Sequence, residues 1–161
     1  STYFINSRDI MQKFVTKSAE ETQKLGKNFA KSILSSAHYN MRSHISMREK
    51  SATVVCLRGD LGGGKTTFLQ GFAKGLQIKE KILSPTFVIM KHFANFYHFD
   101  CYRINKPEEI LELGFKKIIL DPKNIVAIEW PEKIGKLLPK NSIKIKFKVI
   151  DEKTRELTFK K

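Results

Sequence analysis

The chain has 161 residues, with 30 Lys or Arg against 16 Asp or Glu, a formal net charge of +14 at pH 7 and a hydrophobic content of 41%. A chain of that length buries a core without disulfides or a structural metal, and no apolar run nears the roughly 20 residues that span a bilayer. The surplus of positive charge attracts polyanions, of which nucleic acid is the usual one.

The opening STYFINSRDI lacks the basic, apolar and small-residue order of a signal peptide, so a cytoplasmic location is expected. The first predicted element is a helix starting at SAEETQKLGKNFAKSIL, where Ser18 and Glu21 have capping-box spacing and Thr22, Leu25, Phe29 and Ile33 recur with helical period. Residues 35–51 are polar and basic without periodicity and read as a loop or an irregular helix extension, with His38 and His44 solvated. TVVCL (53–57) is a β-branched strand and residues 65–76 a helix. SPTFVIMKHF (84–93) and FYHFDCYR (96–103) form a hairpin across the short Ala94-Asn95 connection. Asn105 and Pro107 open a helix over EEILELG that Gly114 ends. NIVAIEWP (124–131) is an apolar strand ending in a carboxylate. Cys56 and Cys101 have neither CxxC nor Cys/His spacing and read as small core residues.

In SIKIKFKVI (142–150) Ile143, Ile145, Phe147 and Val149 alternate with Lys144, Lys146 and Lys148; DEKT turns the chain and ELTFK pairs back, a basic hairpin over 142–160. Residues 133–161 hold half of the net charge. The lysines either guard an edge strand against aggregation or form a phosphate-contacting face. There are no repeats, no low-complexity linker and no boundary, so residues 1–161 form a single domain.

Between the strand 53–57 and the helix 65–76 stands GDLGGGKTT, in which Gly59, Gly64, Lys65 and Thr66 satisfy GxxxxGK[ST] in the strand-then-helix context that the motif requires. Glycines, with Gly62 and Gly63 included, let successive N–H groups point into one concavity, and the helix N-terminus adds its partial positive charge there. In such a loop the lysine reaches the β- and γ-phosphates of a nucleotide and the threonine hydroxyl binds Mg²⁺. Hydrolysis needs carboxylates at strand ends beside the loop. Asp100, after YHF, and Glu129, after IVAI, occupy such positions, and Thr86 in SPTF lies on a loop able to sense a γ-phosphate.

The segments GDLGGGKTT, SPTF, YHFDCYR, PEEILELGF and IEWPE, in this order and spacing, resemble the TsaE family, the small P-loop ATPases of bacterial tRNA threonylcarbamoyladenosine biosynthesis. The resemblance covers most of residues 18–161. It implies that Lys65, Thr66 and Thr67 contact phosphates, that Asp100 serves the Mg²⁺ site, and that Glu129 and Trp130 lie near the nucleotide. It also implies that the TxxLG of the first helix, Thr22 to Gly26, lies on the adenine side, and that ATP hydrolysis supports a complex of the TsaB and TsaD proteins that modifies tRNA. The chain departs from the family at Gly63, usually alanine, at Cys101, usually leucine, at Val88, often threonine, and in the longer 35–51 connection.

The resulting expectation is an α/β P-loop fold, a mixed sheet flanked by helices, acting as an Mg²⁺-dependent ATPase subunit that meets tRNA directly or through the complex and no membrane. Thr66, Asp100 and Glu129 are the candidate metal residues; Lys65, Asp100, Glu129 and Thr86 the candidate catalytic ones. Arg103 is the arginine nearest the loop by motif. A small-molecule kinase shares the loop and is the alternative enzyme; a nucleotide-gated RNA-binding module without essential hydrolysis is the alternative from another class.

Overall fold

The seven strands of the described residues join one sheet, and most of them carry an apolar row that has to be buried. The computed structural model describes residues 11–42, 51–83 and 88–161. Strands β1 (Met11–Thr16), β2 (Thr53–Arg58), β3 (Met90–Phe93), β4 (Phe96–Asp100), β5 (Ile125–Glu129), β6 (Ile143–Val149) and β7 (Arg155–Lys160) alternate with helices α1 (Ala19–Arg42), α2 (Lys65–Gly75), α3 (Glu108–Leu111) and α4 (Phe115–Leu120). The sheet order is β1-β7-β6-β2-β5-β4-β3. β2 runs parallel to β5 and β6, and β4 parallel to β5; β3, β7 and β1 join antiparallel. This is the expected mixed sheet.

Helices α1 and α2 cover one face. Leu25, Phe29, Phe68 and Phe72 from the helices meet Val55, Leu57, Phe147 and Phe159 from the strands, with Phe68 edge-on to Phe147 at 5.5 Å between ring centroids. α1 begins as its cap predicts: Ser18 Oγ accepts the Glu21 N–H at 3.1 Å, while the Glu21 carboxylate reaches back one residue further than a capping box requires, to the Lys17 N–H at 2.7 Å. The helix continues through 35–42, so the extension reading holds for that part; residues 43–50, with His44, lie outside the described residues, as do the side chains of 37–42 with His38. α1 and α2 touch where no side chain intervenes. A β-carbon on Gly71 would stand 1.8 Å from the Gln23 carbonyl oxygen, and one on Gly26 2.2 Å from that of Phe68.

The second face is covered only in part. α3, α4 and the segment after β5 bury Phe99, Phe115, Ile118, Val126, Ile128 and Ile134 against Val54 and Cys56. Both cysteines are free and buried, and burial pushes the Cys56 thiol up to about 11 and the Cys101 thiol up to about 12, as inert core residues. Among the described residues no helix is long and apolar enough to cross a membrane.

Three expectations need correction. β1 falls in a stretch with no strand prediction, because its apolar Met11 and Val15 point outward, 62% and 56% exposed, while Gln12, Phe14 and Thr16 face inward. With β1 on the outside, β6 lies between β7 and β2, so Lys144, Lys146 and Lys148 do not guard an edge. Gly114 does not end a helix; with φ 79° it caps the start of α4, and α3 spans only Glu108–Leu111.

The α1–α2 contact generates a test. Gly71→Ala forces a methyl into a backbone carbonyl, an overpacking cost of about 3 kcal/mol or roughly 6–12 °C in Tm, whereas Lys74→Ala, exposed on the same helix, leaves Tm within about 2 °C. Thermal unfolding by circular dichroism reads both. Equal melting of Gly71→Ala and the parent would show that the helices are not packed through this glycine.

Candidate functional site

β2 is buried from Val54 through Leu57 and exposed at Arg58, where the chain leaves the sheet and must reverse into α2 over residues 59–64. Gly64 makes the reversal possible: it caps α2 with φ 97° and ψ 6°, a left-handed conformation costly for residues with a β-carbon. The loop packs close to β6, since a β-carbon on Gly59 would lie 2.8 Å from the Phe147 carbonyl oxygen.

Lys65 is the first residue of α2 and its side chain folds back over the loop. Its ammonium donates to the carbonyl oxygens of Gly59 and of Asp60, the latter at 2.9 Å, and lies 4.5 Å from the centroid of the Trp130 ring. Burial lowers the lysine's pKa, opposed by the carboxylates of Glu129, Glu132, Asp100 and Asp60. The ammonium is thus a partly desolvated cation surrounded by acceptors.

Parallel register brings the carboxylates together. Asp100 ends β4 and Glu129 ends β5, and the two are partners across the strand pair, with Leu57 of β2 the next neighbour of Glu129. Asp100 Oδ1 accepts the Tyr102 N–H at 3.0 Å. Burial raises the Asp100 pKa, the Tyr102 N–H opposes this, and the neighbouring Glu129 raises it further. Glu129 is buried, and His98 Nε2–H donates to its Oε2 at 2.8 Å; both side chains are nearly inaccessible, 2% for His98 and 5% for Glu129. His98 stands two residues before Asp100 on the same face of β4, and its Nδ1 is buried without a hydrogen-bond partner. A proton on Nδ1 would be a buried donor with nothing to accept it, so the geometry suits the proton on Nε2, facing Glu129.

A cleft of about 770 Å³ gathers these groups and is lined by Thr22, Gly62, Gly63, Gly64, Lys65, Thr66, Thr67, Asp100, Glu129 and Trp130. Gly59 enters through its carbonyl bond to Lys65. Thr86 lies outside the described residues. Thr22 is buried, with its hydroxyl donating to the Ser18 carbonyl at 3.1 Å and bonded to Thr16 at 2.7 Å, so it offers its methyl group to the loop, 3.8 Å from where a β-carbon on Gly64 would stand. Trp130 has φ 56°, a strained angle for tryptophan, and packs on Tyr102 at 5.0 Å between centroids. Arg103 lines the cleft as its motif position suggests.

Arg155 was not foreseen. From the start of β7 it crosses to the glycine loop, donating from Nη2 to the Gly62 carbonyl at 3.2 Å and from Nη1 to the carbonyls of Asp151 and Thr154 at 2.8 and 3.0 Å. Arg155 thus joins Arg103 in lining the cleft. A Gly62 carbonyl bond across 93 residues has no local sequence signal.

Among the described residues no three His, Cys, Asp or Glu side chains form a metal cluster by themselves. The donors present fit a hard cation held jointly by protein and phosphate: Asp100, Glu129 and the Thr66 hydroxyl all line one cleft, and Mg²⁺ is usually bound by one or two carboxylates with phosphate oxygens completing its shell.

Because Lys65 lies over Trp130, the only tryptophan, an anion drawing the ammonium away from the loop carbonyls must change the indole's surroundings. Titration with Mg-ADP is expected to shift or quench the emission, and Lys65→Ala to alter the starting spectrum. Unchanged emission while calorimetry detects binding would remove Trp130 from the site.

The family model described as "Threonylcarbamoyl adenosine biosynthesis protein TsaE" matches residues 16–157. Similar proteins described as tRNA threonylcarbamoyladenosine biosynthesis protein TsaE include that of Rickettsia typhi, 40% identical over 70% of this chain and 80% of its own. That of Bacillus subtilis is 38% identical over 68% of this chain and 70% of its own, and that of Rickettsia bellii 36% identical over 94% and 92%. The crystal structure of Bacillus subtilis YdiB superposes with a TM-score of 0.70 at 28% identity, over 96% of this chain and 88% of that one. With the strand, glycine loop and helix in place and the match running through nearly all of the described residues, the chain belongs to the TsaE family of tRNA threonylcarbamoyladenosine biosynthesis proteins.

Proposed function

We propose that the protein is an Mg²⁺-dependent ATPase subunit that works with the TsaB and TsaD proteins in the modification of tRNA. The observation that carries this reading is the side-by-side register of Asp100 and Glu129 in the cleft that also holds Lys65 and Thr66. Loop N–H groups and the α2 N-terminus hold the phosphates. Lys65 exchanges its carbonyl partners for the β- and γ-phosphates, whose charge-assisted bonds are stronger. Thr66 and Asp100 would hold Mg²⁺, which when bound would neutralise phosphate charge. Glu129 accepts a proton from the attacking water as its oxygen bonds to the γ-phosphorus and the bond to the ADP oxygen breaks. His98, which holds one oxygen of Glu129, is a positioning residue that leaves the other free for the water.

Arg155 and Arg103 line the cleft, but Arg155 is bonded to the loop backbone, an anchor for the loop rather than a charge aimed at a leaving group. A partner that supplies or orders a cation at the γ-phosphate would accelerate the reaction, a contribution of about 10³ to 10⁵ in related enzymes. Hydrolysis by the chain alone is expected to be slow and to rise when TsaB and TsaD are added. Single-turnover hydrolysis by the chain alone, with partners, and with partners plus tRNA tests this, with Lys65→Ala and Glu129→Ala as inactive controls. Equal rates in all three conditions would favour a self-sufficient ATPase or a kinase.

The role of His98 is separately measurable. His98→Phe removes the N–H donor and is expected to lower single-turnover hydrolysis by roughly 10-fold to 100-fold with nucleotide affinity little changed, while His98→Gln, whose amide N–H can replace Nε2–H, recovers part of the rate. Equal loss in both variants, or a loss confined to affinity, would make His98 a packing residue only.

A further inference from the structure

Among the described residues nothing covers the second face of the sheet beyond the second core. That core reaches as far as Cys56, whose register partner on β6 is Lys144. Beyond it, the face across β2, β6, β7 and β1 carries Lys144, Lys146 and Lys148 from β6, Lys160 from β7, Lys13 from β1 and Arg58 from β2, all exposed. Register places them in rows: Lys160 opposite Lys144, and Arg58 and Thr158 on either side of Lys146 with Lys13 beyond. Adjacent strands lie about 4.8 Å apart and same-face residues about 6.6 Å apart along a strand, so the cations form a two-dimensional lattice on an open sheet. Among the described residues two of them are ion-paired, Lys13 with Glu156 at 3.9 Å and Arg58 with Glu132 at 3.6 Å. Glu156 is the acidic residue within the lattice, opposite Lys148.

The chemistry of this face is selective in what it omits. The remaining outward positions on β1 and β7 are Met11, Val15 and Thr158, so the lattice contains no aromatic side chain on which an unpaired base could stack. Phosphate is what a flat array of lysines recognises, and a double helix presents phosphates in rows without requiring stacking; duplex RNA is bound largely by shape and backbone contacts. We infer that the uncovered sheet face formed by β6, β7, β1 and the end of β2 binds the phosphate backbone of a double-helical RNA stem. This deepens the proposed function and rests on it for the choice of RNA among polyanions. The face and the nucleotide cleft share the β6–β7 hairpin, since Lys153 and Arg155 of that hairpin line the cleft.

The test measures binding of a fluorescent RNA stem of about 16 base pairs by anisotropy at several salt concentrations. Four unpaired lysines predict a log-log salt slope of about −3 to −4. Lys144, Lys146 and Lys148 changed together to Gln should weaken binding roughly 10-fold to 100-fold and flatten the slope by about 2 to 3. The control changes Lys24, Lys27 and Lys31, exposed on α1, to Gln; it removes the same charge and should bind nearly as the parent does. The Trp130 response to Mg-ADP and the Tm should be unaltered in both variants, which separates failure here from failure of the nucleotide assignment. If the triple sheet-face variant misfolds, Lys146→Gln alone should weaken binding several-fold. Unchanged affinity in the sheet-face variant, or equal loss in both variants, overturns the proposal. Tighter binding of single-stranded RNA overturns it as well, and a parent that binds polyglutamate but not the stem would assign the face to an acidic protein instead.

Discussion

The close approach of α1 and α2 is the constraint on which the site depends. Where Gly71 meets the Gln23 carbonyl and Gly26 meets that of Phe68, the two backbones touch without a side-chain layer. α2 starts at the glycine loop, so its axis decides where Lys65 and Thr66 stand; α1 starts at Ser18, so the same contact decides where Thr22 stands. The phenylalanines beneath, Phe29, Phe68, Phe72, Phe147 and Phe159, fill the space between this helix pair and the sheet. A close-packed interior resists small displacements, and the wall formed by the helices inherits that rigidity.

The other wall is electrostatic. Two carboxylates in register at the ends of β4 and β5 repel each other, and burial together with Glu129 raises the pKa of Asp100. Lys65 opposes that rise, and the His98 N–H bonds one oxygen of Glu129. The lysine is itself held by carbonyl oxygens, which are weaker partners than phosphate oxygens.

The parts of this that were legible in the sequence are the ones encoded locally. GDLGGGKTT announces its turn because loop conformation, flanking strand and following helix lie within a short window, and FYHFD and IVAIE announce their carboxylates because each apolar run stops at one. What depends on tertiary pairing was not legible. β1 carries its apolar residues on the outer face, so its alternation points the wrong way; Arg155 reads as a hairpin residue until β7 is laid beside β6; Gly114 reads as a stop because a left-handed glycine serves equally between two helical turns. His98 is the intermediate case. Aligning the terminal carboxylates of FYHFD and IVAIE, as parallel strands require, would have put His98 beside Ala127 and on the face of Glu129, but without a known register that alignment is one of several.

The position of β1 has a consequence for biosynthesis. Its partner is β7, and Met11 pairs with Lys160, so nearly the whole of the described chain separates the two strands. A strand emerging early from the ribosome therefore waits for one made late, and contacts of such sequence separation form slowly. Meanwhile Met11 and Val15 are apolar on a strand with no neighbour, the condition that favours pairing with the wrong chain. Lys13 between them supplies charge at the middle of that strand. The strand that closes the sheet is thus also the segment most in need of protection during synthesis, and chaperone dependence would concentrate there.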